Sequence, residues 1–164
     1  MQHEHHDGVS EVAMRRHHYR MLAVNLVVSL VIMYLAMFAM IWSSREFIQN
    51  VNFLYMALVM WAPMAIVMLL TMKAMYTNRR LNAVLYAAFV AVFVLSLLGI
   101  RAQGLVGDRQ FLASMIPHHS GAVLMCNQAS LRDAEIRELC FGPEGIVAGQ
   151  QREIEQMKAI RERL

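Results

Sequence analysis

Residues 52–72 read NFLYMALVMWAPMAIVMLLTM, a stretch without a single charged side chain. At a rise of about 1.5 Å per residue, a helix of that length crosses the roughly 30 Å hydrocarbon core of a bilayer. Pro63 removes one backbone donor from its middle and is expected to kink it, a defect that transmembrane helices tolerate. Two further uncharged runs, Met21 to Trp42 and Leu81 to Ile100, flank it. Together they explain why the 164-residue chain is 58% hydrophobic with a mean hydropathy of +0.41. The reading is an all-α protein with three transmembrane helices, Trp42 and Trp61 lying among them. The polar residues inside the runs, Asn25, Ser29 and Ser96, can bond to backbone or to a neighbouring helix. No ionisable group lies mid-run, which argues against a proton relay or ion pump.

Charge sets the expected orientation. Arg15, Arg16 and Arg20 precede the first run, Arg45 stands in the first loop, and Lys73, Arg79 and Arg80 fill the second. Cytoplasmic loops are the ones enriched in Lys and Arg, so the amino terminus and second loop are expected in the cytoplasm. The segment after Ile100 then lies in the periplasm, the whole sitting in the bacterial inner membrane. The formal net charge of +3 belongs to Lys73, Arg79 and Arg80, because the remaining segments balance base against acid. The basic pI of 9.1 therefore reports topology, and nothing points to nucleic acid. The expected organisation is a His-containing tail over 1–20, a membrane region over 21–100 and an exported helical domain over 101–164. The first run is read as a retained anchor and not as a cleaved signal.

In the exported segment, Arg101 to Gly107 reads as a linker and Asp108 as a helix cap. Phe111, Leu112, Met115, Ile116, Ala122, Val123 and Met125 have amphipathic spacing to about Ser130, and Pro117 implies either a bend or a helix start. Asp133 reads as the cap of a short helix with Ile136, Leu139 and Cys140 inward. Ile146 to Arg163 reads as the last helix, with Ile146, Val147, Ile154, Met157 and Ile160 on one face. So few helices make a marginal core, so dimerisation into a four-helix bundle, or docking on the spans, is expected.

The chemistry-bearing residues cluster at 114–126, SMIPHHSGAVLMC. A seven-residue step returns to nearly the same helix azimuth, so His118 shares a stripe with Met125, and His119 with Cys126. Small Ala122 lies beside the gap between His118 and Met125. On the last helix Gln150 and Met157 share a stripe, with Glu153 near it. Packed together, these stripes would gather imidazole and thioether donors, a mixture that suits copper better than zinc. The alternative is that methionine merely fills core gaps and the histidines are solvated. Cys126 and Cys140 have two readings: a disulfide, expected of an oxidising compartment, or thiolates for copper. The first forbids the second.

Met115-Ile116-Pro117-His118-His119 with Ala122 and Met125, joined to Gln150-x-x-Glu153-Ile154-x-x-Met157, resembles the CopM-like family of exported bacterial proteins. The resemblance covers about residues 108 to 160. It implies a ferritin-like helical bundle that binds copper in support of copper tolerance, with Met115, His118, His119, Met125 and Met157 as candidate ligands, to which the residues themselves add Cys126. The Gly-Pro-Gly stretch within Phe141 to Gly145 departs from the family pattern and bears on the register of Met157.

The expected function is a membrane-anchored copper-binding protein that buffers Cu(I) or Cu(II), with a homo-oligomer formed through its C-terminal helices. No catalytic constellation is present in the sequence, so no enzymatic role is expected. The rivals are a metal-free, partner-binding membrane protein and a copper-dependent oxidase. Methionine accounts for 15 residues, among them Met56, Met60, Met64, Met68 and Met72, with Met33, Met37 and Met40 on the first run. Steps of four wind around the helix, so packing or lipid contact explains them better than a pore does. His3, His5, His6, His17 and His18 are read as a solvated tail or as a cytoplasmic chelator of copper or nickel.

Overall fold

The computed structural model describes residues 3–164, with side chains described from residue 13 onward. His3, His5 and His6 of the tail lie outside the described side chains. Among the described residues the chain is all-helical: α1 (His3–Ala36), a 3₁₀ turn (Ser44–Glu46), α2 (Val51–Thr71), α3 (Arg79–Ala102), α4 (Asp108–Gln128), α5 (Ala134–Phe141) and α6 (Ile146–Arg163). Three segments are long and apolar enough to cross a membrane: Ala13–Ala36, Val51–Thr71 and Arg79–Ala102. The chain divides into two compact units. One holds residues 1–34 with 55–101, and the other holds 35–54 with 102–164.

In the first unit, Leu22 and Leu26 of α1, Ala62, Ala65 and Leu69 of α2, and Phe89 of α3 form a core with Tyr76. The small alanines let the helices approach closely. At the other end of the contact between α2 and α3, Gly99 makes room for the Tyr55 ring, since a Cβ there would stand 2.8 Å from Cζ. Trp61 donates its indole N–H to the Leu26 carbonyl at 2.7 Å and meets Phe89 edge-on. Ser29 also donates to the Leu26 carbonyl, so this polar side chain bonds to backbone as its place in an apolar run requires.

The connector after α2 is ordered by polar contacts. Tyr19 donates to Asn82 Oδ1 at 2.7 Å and accepts from the Asn78 N–H, while Asn82 donates to the Tyr76 carbonyl. Burial pushes the Tyr76 phenol above its ordinary pKa, and neighbouring Tyr19 adds to the rise.

The second unit differs from the expected module by including the first loop. The apolar run from Met21 to Trp42 was expected to stay in the membrane, yet α1 ends at Ala36 and residues 37–40 form turns. Phe38 is buried against Phe47 and Phe53, at ring-centroid distances of 4.2 and 4.9 Å. Apolarity in this stretch serves a protein core, which hydropathy alone does not distinguish from lipid. At the other end of α1, the helix continues without interruption through the polar residues before the first span.

Helix α4 runs unbroken through Pro117, with Gly107 at its N-cap and Asp108 in its first turn. The linker before it adopts left-handed backbone at Gln103 and Leu105, while Gly104 and Gly107 do not. Its buried positions, Leu112, Ala113, Ile116, Ser120, Gly121 and Val123, form a face wide enough for two neighbours. One neighbour is α6. His119 opposite Glu153 and the Ile154 contact with Ala113 and Ile116 set an antiparallel pair. The other is the first loop, and Ser120 and Gly121 are small where it crosses. The loop thus covers a part of α4 that α6 leaves open.

The loop is fastened by one acid. Ser43 and Glu46 form a capping box around the 3₁₀ turn. Buried Glu46 then receives the Ser120 hydroxyl at 2.6 Å, the Ser43 N–H at 3.0 Å and Lys158 Nζ at 3.5 Å. Ser120 in turn accepts the Trp42 N–H at 2.6 Å. Gln110 on α4 accepts the Val51 N–H and so caps the start of α2.

Asp133 caps α5 as expected, accepting from Glu135 and Ile136 N–H, and α6 spans the expected residues. The faces differ in two places. Ile136 and Leu139, expected inward, are exposed, as are Phe111 and Met125. Helix α5 has only eight residues and is held by the Cys126–Cys140 disulfide, whose Cα atoms are 5.6 Å apart. Only Cys140 of its expected inner residues is buried.

Two outcomes are expected. Glu46→Ala removes about 3 kcal/mol from the second unit, because three donors lose their acceptor, while Glu46→Gln loses less. Chaotrope unfolding followed by Trp42 fluorescence in a Trp61→Phe background measures both. Replacing Cys126 and Cys140 by Ala costs about 3 kcal/mol, given the sequence separation of 14, and raises amide exchange first in α5.

Candidate metal site between α4 and α6

The structure separates the expected ligands into three groups. His118 and Met125 do share a stripe, but it faces outward: both residues are exposed, Met125 at 54%. His119, one position and about 100° further round α4, faces α6 instead. Its Nε2 lies 2.8 Å from Glu153 Oε2, and its side chain is 13% exposed. The expected meeting of the His118 stripe with α6 is therefore displaced by one residue. The azimuth of the contact is set by how α4 packs under both α6 and the loop.

Cys126 forms the third group. Its sulfur is bonded to Cys140, so it offers no thiolate in this state, and of the two readings open from the sequence the disulfide is the one observed. Cys126 is thereby corrected from candidate ligand to structural link.

Around His119, helix periodicity assembles a donor set. Its Nδ1 lies 2.9 Å from the Met115 carbonyl, one turn back on α4. A carbonyl oxygen can only accept, so Nδ1 carries the proton in this bond, and the ring is held with Nε2 toward α6. This is how metal-binding imidazoles are commonly oriented by their surroundings. In the antiparallel register, Met115 one turn before His119 and Met157 one turn after Glu153 fall at the same level. Met157 is half-buried and packs against Ile48, Ala113, Ile116 and Ile154. The imidazole and carboxylate thus meet at one level, and the two methionines stand at the next, one turn along the pair. Among the described residues no three His, Cys, Asp or Glu side chains are grouped to hold a metal ion. Any soft ion here would need the methionine sulfurs.

His119 and Glu153 satisfy each other. Both ring nitrogens face acceptors, the Met115 carbonyl at Nδ1 and the Glu153 carboxylate at Nε2.

Sequence reading did not single out Glu46. The signal was present as Ser43-Ser44-Arg45-Glu46, a capping-box pattern in a short loop between apolar runs. Glu153 was noted only as lying near the Met157 stripe, whereas it is the direct partner of His119.

Comparison with known proteins places these elements. A family model described as a domain of unknown function, DUF305, matches residues 96–161, from the end of α3 through most of α6. The uncharacterized protein L153 of Acanthamoeba polyphaga mimivirus is 30% identical over 113 residues, covering 68% of this chain and 70% of that protein. No solved structure matches. The chain, with α4 to α6 as its matched portion and a relative similar over most of its length, belongs to the DUF305 family.

Proposed function

We propose that this protein is a membrane-anchored copper-binding protein whose second unit holds the ion between α4 and α6, for buffering or tolerance and without catalytic turnover. The observation that carries the reading is His119. Its Nδ1 is committed to a backbone carbonyl, its Nε2 points at Glu153, and Met115 and Met157 stand one turn away. Thioether and imidazole together favour Cu(I), and the carboxylate extends the set toward Cu(II). In this reading His119, Met115, Met157 and Glu153 hold the ion, while His118 and Met125, exposed on the outer stripe, are at most an entry point.

The proposed location is the bacterial inner membrane, with the amino terminus cytoplasmic and the second unit periplasmic. Three spans put the first loop and the C-terminal helices on one side, which is what a unit containing both requires. The disulfide supports an oxidising compartment for that side. The positive residues Lys73, Arg79 and Arg80 lie in the other loop, as cytoplasmic placement demands.

A metal-free reading also has an observation behind it. The His119–Glu153 pair is complete as an ion pair and can simply tie α6 to α4. Competition titration with a chromogenic Cu(I) chelator on the full chain separates the two. On the copper reading, and in a background whose first-unit donors are removed (Met14→Leu, His18→Gln and Met75→Leu, with His3, His5, His6 and His17 to Ala), Met115→Leu with His119→Gln and Met157→Leu weakens binding at least tenfold, whereas His118→Ala with Met125→Leu changes it less than threefold. Equal affinities for that background and the first variant would leave the ion pair as a structural tie.

A further inference from the structure

The first unit carries a second concentration of soft donors, at the end of the helices where α1 enters its span. Met14, His18 and Met21 stand at steps of four and three residues on α1, hence on one stripe. Met68 and Met72 on α2 and in the turn after it, together with Met75, form the facing row. A groove of about 430 Å³ is lined by Met14, Arg15, His18 and Met75, with Ala74 and Thr77. A neighbouring groove is lined by Met21, Met68, Met72 and Met75, among other residues, so Met75 belongs to both. These thioethers are accessible: Met14 is 60% exposed, Met21 53% and Met75 36%.

The histidine in this row is set as His119 is. Its Nδ1 lies 3.3 Å from the Met75 carbonyl, across the contact between the two segments. Because the carbonyl only accepts, Nδ1 donates in this bond, and Nε2 is the nitrogen that a neutral imidazole offers to a metal. Apolar packing alone gives no reason to pair the one imidazole of the groove with the backbone of one of its methionines.

We infer that Met14, His18 Nε2 and Met75 form a binding site for a soft monovalent cation, Cu(I) or Ag(I), which continues along the groove through Met21, Met72 and Met68. Thioether and imidazole donors select the class, since zinc sites are built from Cys, His and carboxylate. Arg15, which lines the same groove, adds selectivity by charge. Its guanidinium repels a divalent ion twice as strongly as a monovalent one at the same distance, and the donors are all neutral. This site does not rest on copper binding between α4 and α6.

The test uses the full chain in nanodiscs with the other candidate donors removed: Met115→Leu, His119→Gln and Met157→Leu, together with His3, His5, His6 and His17 to Ala. Under anaerobic ascorbate, this protein is expected to retain one Cu(I) against a chromogenic chelator and to show no Zn(II) binding at the same concentrations. Adding Met14→Leu, His18→Gln and Met75→Leu is expected to weaken Cu(I) at least tenfold. These exchanges conserve volume at accessible positions, so circular dichroism should be unchanged. Copper-edge X-ray absorption should show sulfur and a single nitrogen donor before the exchange and lose the sulfur signal after it. Absence of retained Cu(I), equal affinity after the triple exchange, or a spectrum without sulfur would each overturn the site.

Discussion

A carboxylate taken out of water costs several kcal/mol unless donors replace its hydration, and Glu46 is such a carboxylate. Its donors come from three parts of the chain: Ser43 in its own turn, Ser120 in the middle of α4 and Lys158 on α6. Satisfying that single charge therefore holds the first loop across the α4–α6 pair. Ser120, which also accepts the Trp42 N–H, must be small and hydroxylated. Gly121 beside it lies under the Met40 carbonyl, which a Cβ there would meet at 3.5 Å, an ordinary contact. With the loop in place, Ile48 joins Ala113, Ile116 and Ile154 to complete a core that two helices and a short third would leave open.

The same packing decides the chemistry of the site. A helix covered on one side has freedom to roll, whereas α4 is covered on two and its azimuth is settled. That azimuth turns His119 toward α6 and His118 toward solvent, although the two are adjacent in sequence. The difference between a half-buried imidazole bonded at both nitrogens and an exposed one thus originates in a loop more than seventy residues upstream.

Much of this was legible in the sequence where the cause is local. The Asp133 cap and the start and finish of α6 were readable because side-chain capping and the Gly-Pro-Gly break act within a turn of where they stand. The three long apolar helices were readable because uncharged length is their whole signature. What escaped was decided by distant partners. Residues 37–42 look like membrane because aromatic and aliphatic side chains are equally at home in lipid and against Phe47 and Phe53. Phe111, Met125, Ile136 and Leu139 have inward spacing yet lie outward, since periodicity identifies a stripe without saying which neighbour covers it. His118 and His119 differ by a single step of azimuth, finer than apolar spacing resolves.

The composite second unit also bears on modularity. The matched family segment starts at residue 96, so it contains α4 to α6 but not the hairpin-like strap of residues 35–54 that closes over them. A boundary drawn there cuts through one cooperative structure. Any chain that carries this segment without an equivalent strap must shield the Ile116–Ser120 surface by other means, whether by another polypeptide, by self-association or by resurfacing it with polar side chains. In the present protein the strap precedes these helices along the chain, yet Ser120 and Lys158, which hold its acid, come only with α4 and α6, so neither part is finished without the other.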